Sequence, residues 1–166
     1  MSEALHGLVE HKLRRASQRY TQSRRQLVEV LAGAGHPVSI EDIAIQAPRL
    51  PRSSAYRNLV DLELAGIVRR VAANDDYSRY ELAEDITEHH HHLVCTRCGR
   101  VLDVTPPAGF ETSMAGYLDA VLAVSGFRAA DHRLDVFGTC AACLQSGEDA
   151  CRQAGEDEPG PQEALI

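Results

Sequence analysis

Apolar residues recur at helical spacing over the first third of the chain. Leu5, Leu8, Val9 and Leu13 predict an amphipathic helix from Ser2 to about Ala16. Leu27, Val28, Val30 and Leu31 predict a second helix that follows Thr21 and stops at "AGAGHP", where Gly and Pro punctuate the chain. Ser39, with Asp42 three residues on, is a capping-box start for a short third helix through about Ala47. "PRLPRSS" breaks the pattern before a fourth helix from about Ser53 to Ala65, with Gly66 as its stop. The period then changes: "IVRRV" and "SRYEL" have β character and flank the polar loop "AANDDY", which is a hairpin signal.

Past a polar hinge near "AEDITE", "HHHHLVC" and "VLDV" read as two strands around Cys95-x-x-Cys98-Gly99. "FETSMAGYLDAVLAVSG" reads as a helix and "HRLDVFGTC" as a third strand. The predicted class is therefore α+β. Residues 1–86 form a winged helix with an N-terminal helical extension, residues 87–146 form a small α/β unit, and residues 147–166 form an acidic disordered tail. In a winged helix the helix before the wing enters the major groove. Here that helix carries Ser53, Ser54, Tyr56 and Arg57 in its first turns. An Arg bonds a guanine edge or a phosphate, and a Tyr packs on a thymine methyl or reaches a phosphate.

The net charge of −7 argues against a nucleic-acid partner until its distribution is read. Residues 1–71 hold 11 Lys+Arg against 7 Asp+Glu, net +4, whereas residues 72–166 hold 6 against 17, net −11. A basic half precedes an acidic one, which suits DNA binding by the first half alone. No apolar run approaches the roughly 18 residues that span a bilayer, and the N-terminus lacks the apolar stretch and cleavage site of a signal peptide. A cytoplasmic protein without a membrane partner is expected.

Four of the five cysteines form two Cys-x-x-Cys pairs, Cys95 with Cys98 and Cys140 with Cys143, while Cys151 stands apart as a free thiol. Thiolates from two such knuckles satisfy the tetrahedral geometry of a structural Zn2+. Four consecutive histidines precede the first knuckle, and side chains on a strand alternate between its faces. If Glu88 to Val94 is extended, His89 and His91 point one way and His90 and His92 the other. Two imidazoles need carboxylate or further imidazole partners to complete a site. The candidates are Glu111 and His132 for the first face, and Glu81 and His36 for the second.

These motifs resemble the ferric uptake regulator superfamily of metal-responsive repressors, with its zinc-responsive and peroxide-responsive branches. The resemblance rests on "SAYRNL" in the recognition position, "HHHHLVCTRCG" and "DHRLDVFGTCAAC", and covers roughly residues 16–144. It implies a homodimer on an AT-rich palindromic operator, with residues 87–146 as the dimerisation domain. It matches the family's DNA-contacting residues to Tyr56 and Arg57, and its minor-groove basic residue to Arg19. It places structural zinc on Cys95, Cys98, Cys140 and Cys143. A sensing site between the domains corresponds to His36, Glu81, His90 and His92, and a further site in the dimerisation domain to His89, His91, Glu111 and His132. The unbroken histidine run resembles zinc sensors and Glu81 resembles iron- and manganese-type sites. The implied regulatory metal is thus Zn2+ or Fe2+, with Mn2+ and Ni2+ as further candidates.

Repression of metal uptake and homeostasis genes is the expected function. Peroxide sensing through bound iron or manganese on the same fold is the alternative. A zinc-ribbon interaction module or a metal store that does not bind DNA is a rival from another class. A zinc hydrolase or deaminase is a third, but it requires patterns such as His-Glu-x-x-His or His-x-Glu with Pro-Cys-x-x-Cys, and neither occurs.

Overall fold

The computed structural model describes residues 3–72, 78–87, 89–130 and 132–146. The wing loop at residues 73–77, Glu88, Cys151 and the tail expected over residues 147–166 lie outside the described residues.

Helix α1 (Glu3–Arg15) buries Val9 and Leu13 completely, as the spacing of its apolar stripe requires. Helix α2 (Gln22–Ala34) starts where the Thr21 side chain accepts from the Arg24 backbone N–H, and it ends at Gly35 with φ of 66°. That left-handed turn favours glycine. Helix α3 (Ile40–Gln46) has the expected capping box: Ser39 Oγ accepts from Asp42 N at 3.2 Å, and Asp42 Oδ2 accepts from Ser39 N at 2.7 Å. Helix α4 (Arg52–Leu64) buries Ala55, Leu59 and Leu62. These faces meet in one core that also takes Leu27, Val28, Ile43 and Ile67.

The wing comprises β2 (Val68–Ala72) and β3 (Ser78–Leu82), paired antiparallel with Arg69 opposite Glu81. A two-residue strand that the sequence pattern does not announce, β1 (Val38–Ser39), pairs with β3, so the sheet order is β1-β3-β2. Its two residues are too few to set up an alternation, and the pairing is long-range.

The second sheet has the order β5-β4-β6. Strand β4 (His91–Cys95) runs antiparallel to β5 (Val101–Val104) and parallel to β6 (Asp135–Gly138). A parallel neighbour needs a crossover, and α5 (Ala108–Ser125) supplies it. A last short helix, α6 (Ala141–Ser146), carries Cys143 and was not foreseen. The expected strand over "HHHHLVC" begins only at His91, yet alternation extends back through the two preceding histidines.

Arg79 ties the two halves together, and Lys12 braces the first half internally. Arg79, on the wing, donates from Nε to the Gly99 carbonyl of the Cys knuckle at 2.6 Å and lies 3.3 Å from Asp42 Oδ2 in the α3 cap. Lys12 on α1 donates to the Gly66 carbonyl at 3.2 Å and pairs with Asp85 in the turn after the wing. Among the described residues, no helix is long and apolar enough to cross a membrane.

Candidate metal centres

Three groups of four side chains each bring their donor atoms within 4.8 Å of one another. The first is Cys95, Cys98, Cys140 and Cys143. Cys95 ends β4, the chain reverses through Gly99 at φ of 72°, and Cys140 and Cys143 arrive from the end of β6 and from α6. Sγ of Cys95 is 3.9 Å from that of Cys143, and Sγ of Cys98 is 3.9 Å from that of Cys140. Zn–S bonds of the usual length in a tetrahedron place sulfurs about 3.8 Å apart. Burial pushes the Cys95 thiol up, but backbone N–H groups of Cys140, Cys98 and Arg97 outweigh it and bring it down to about 6. A chain that solvates thiolate with its own amides suits a thiolate-binding cation.

The second group is Glu81, His90, His92 and Asp103. Glu81 comes from the wing strand β3, the histidines from the entry to β4, and Asp103 from β5, where it is the register partner of His92. Nε2 of His90 and Nε2 of His92 lie 3.2 and 3.1 Å from the same atom, Glu81 Oε2. The Asp103 carboxylate stands 3.8 Å from His92 Nε2 and 3.9 Å from His90 Nε2. Burial alone would raise Glu81; hydrogen bonds from His90 and His92 and the charge of Arg69 reverse this and hold it well below the usual carboxylate range. Burial pushes Asp103 up, and the charges of His90 and His92 only partly offset it. Its buried Oδ1 has no hydrogen-bond partner. A buried carboxylate whose Oδ1 faces His92 and whose Oδ2 faces His90, with Oδ1 lacking a hydrogen-bond partner, fits a divalent cation.

His92 is almost wholly buried, and its other ring nitrogen, Nδ1, donates to Asp135 Oδ1 at 3.0 Å. That contact fixes the ring so that Nε2 points into the group. Burial lowers the His92 pKa, but the contacts with Glu81 and Asp135 outweigh it and leave the value raised.

His36 was expected in this group, and the structure puts Asp103 in the fourth place instead. His36 Nδ1 sits 3.3 Å from the Pro37 carbonyl, while its ring is close enough to Asp103 to stabilise that carboxylate's charge. Sequence reading missed Asp103 because nothing in "VLDV" distinguishes it until β5 is registered against β4.

The third group is His89, His91, Glu111 and His132. Glu111 lies in the first turn of α5; its Oε1 is 2.7 Å from His91 Nε2, and its Oε2 is 3.3 Å from His132 Nε2 and 3.7 Å from His89 Nε2. The ring centroids of His89 are 4.8 Å from those of both His91 and His132. His89 Nδ1 donates to Glu84 Oε2 at 2.8 Å, a contact that alternation does not predict.

The residues expected to face DNA are distributed as follows. Ser53, Ser54, Tyr56 and Arg57 occupy the first turns of α4; Tyr56 is 48% exposed, and Arg57 bonds back from Nε to the Ser53 carbonyl at 3.3 Å. Arg19 is exposed just before α2, and its carbonyl accepts from Arg24 Nη1 at 2.7 Å. Arg24 also reaches Asn58 Oδ1 at 3.1 Å and Asp61 Oδ2 at 2.5 Å, locking α2 to α4. This buried guanidinium sets the spacing between Arg19 and α4, and sequence reading overlooked it.

A family model described as the Ferric uptake regulator family matches residues 15–137. The peroxide-responsive repressor PerR of Staphylococcus epidermidis is 28% identical over 81% of this chain and 87% of its own length. The peroxide operon regulator of Bacillus subtilis is 29% identical over 84% of this chain and 95% of its own. The crystal structure of the Vibrio cholerae ferric uptake regulator superposes with a TM-score of 0.63 at 26% identity, covering 79% of this chain and 98% of that one. A match over more than half of the chain, with the winged helix and the paired Cys knuckles inside this architecture, shows that the chain belongs to the ferric uptake regulator family.

Proposed function

We propose that the protein is a metal-dependent, DNA-binding repressor of metal homeostasis genes in which the hinge group of Glu81, His90, His92 and Asp103 is the switch. The observation that carries this is the origin of its donors: Glu81 belongs to the wing, His92 and Asp103 belong to the second sheet, and His90 lies immediately before it. A divalent cation held there supplies a positive charge that four side chains from two halves of the chain can share. Its occupancy sets the angle between the recognition helix and the second sheet. A dimer engages two half-sites only at the correct helix spacing, so this angle becomes DNA affinity.

Cys95, Cys98, Cys140 and Cys143 hold a structural zinc in this reading, joining both ends of the second sheet. His89, His91, Glu111 and His132 hold a further cation that steadies α5. Residues 1–86 bind an AT-rich palindrome through Tyr56, Arg57, Ser53, Ser54 and Arg19, and residues 87–146 form the dimer interface. Helix α5, the turn after it and β6 supply a suitable surface, with Tyr117, Val121, Val124, Phe127 and Phe137 exposed. A homodimer covers such a face without a second partner.

The test is a gel shift on an AT-rich palindrome with chelator, then with Zn2+, Fe2+, Mn2+ and Ni2+ separately. Retardation that requires one of these metals supports the reading; retardation unaffected by chelation removes it. Peroxide sensing is favoured by one observation, that the curated relatives named above are peroxide regulators, and the hinge group offers the N and O donors that suit iron or manganese. Peroxide treatment of the Fe2+-loaded protein would then add oxygen to His90 or His92, which a peptide mass spectrum detects.

A further inference from the structure

Arg69 lies on β2 opposite Glu81 and belongs to none of the three donor groups. Its Nε and Nη2 both donate to Glu81 Oε1, at 2.7 and 2.5 Å. The other carboxylate oxygen, Oε2, faces the two imidazoles. The two oxygens of Glu81 are thus divided, one given to a guanidinium and one to the donor group. Two N–H bonds saturate the lone pairs of Oε1. A guanidinium keeps its charge at any working pH, so it cannot be released by losing a proton.

The fork is also held from behind. Arg69 Nη1 pairs with Glu84 Oε1, and Glu84 Oε2 accepts from His89 Nδ1 at 2.8 Å. Swinging the fork away from Glu81 breaks the Glu84 contact as well, and both carboxylates are largely buried. Bidentate carboxylate ligation, which cations of higher coordination number use, needs both oxygens. Zinc is satisfied by four donors.

Resting on the reading that the hinge group holds the regulatory metal, we propose that Arg69 is a specificity-determining residue: by occupying Oε1 it confines Glu81 to ligation through Oε2 and removes one donor atom from the shell. The group is thereby biased toward a four-coordinate cation such as Zn2+ and against Mn2+, which takes six donors. A merely structural Arg69 would neutralise a buried acid without affecting coordination number.

The test uses the full chain with its Cys group filled by Zn2+, in a His91→Ala background that removes a donor from the third group, and with Co2+ added as a spectroscopic probe of the hinge group, since the visible band of Co2+ weakens as its coordination number rises. Arg69→Met removes the fork, and Arg69→Lys keeps the charge beside Glu81 and Glu84 but cannot present the paired N–H groups. Arg69→Lys carries the test if Arg69→Met does not fold. In both, the band is expected to weaken severalfold and the ratio of Zn2+ to Mn2+ affinity to fall roughly 10-fold or more. Variant spectra and ratios superimposable on those of the His91→Ala background overturn the inference. His90→Ala serves as the control: a Co2+ band unchanged by that substitution overturns the reading of the hinge group itself, and the inference with it.

Discussion

His92 donates from Nδ1 to Asp135 across the parallel pair β4–β6, while its Nε2 faces Glu81. One imidazole therefore stands between two carboxylates, one that orients it and one that shares its work. Asp135→Asn is expected to leave the fold intact and to reduce metal affinity at the hinge group by about 10–100-fold. Competition against a fluorescent chelator measures this; unaltered affinity would show that Asp135 does not orient the ring.

The alternation of the four histidines separates two roles that adjacent positions in sequence do not. His90→Ala is expected to abolish metal-dependent operator binding and to leave a folded dimer. His91→Ala, one residue on, removes an imidazole that touches Glu111 instead and should leave the metal response in place. Fluorescence anisotropy on labelled operator, with and without metal, distinguishes them, and equal losses in both variants would contradict the division.

Cys140→Ser should behave differently from either. Removing one thiolate from the Cys group is expected to cost more than about 4 kcal/mol, the scale on which loss of a structural metal stands out among single substitutions. Calorimetry and zinc content report it together. A melt unchanged from the parent protein would remove the structural-zinc assignment.

Tyr20 predicts a pH dependence away from any donor group. Burial, the largest effect, pushes its hydroxyl up to about 12, against a partial offset from the Arg25 charge, and the hydroxyl sits 2.7 Å from His6 Nδ1. Because the folded value is raised above the unfolded one, this contribution is fully present below pH 10 and is lost as pH rises through about 12. Denaturant melts from pH 8 upward should show α1 loosening over that window. Tyr20→Phe should lose about 1 kcal/mol at neutral pH and lack the alkaline component; an identical alkaline profile would contradict the assignment.

Much of this organisation is local to short stretches of the sequence. Ser39 and Asp42 announce α3 because a capping box is local, and period-two alternation divides the histidines because strand geometry is local too. Asp103, Arg69 and Glu84 could not be reached in that way. Each acquires its role from a register between strands or from a turn, and strand pairing is a long-range property that no short window contains. His36 illustrates the reverse case. Its residue type and place suited the hinge group, but its ring lies near enough to Asp103 to influence that carboxylate without being among the four donors.

Arg79 gives the Cys group a reach beyond its own sheet. One guanidinium touches the carbonyl of the knuckle's turning residue and the carboxylate that caps α3. The Cys group and the hinge group therefore bear on the same wing strand, the first through Arg79 and the second through Glu81. Only Tyr80 separates the two attachment points along β3, so if the hinge group is the switch proposed above, any shift of the wing is expected to pivot close to Arg79.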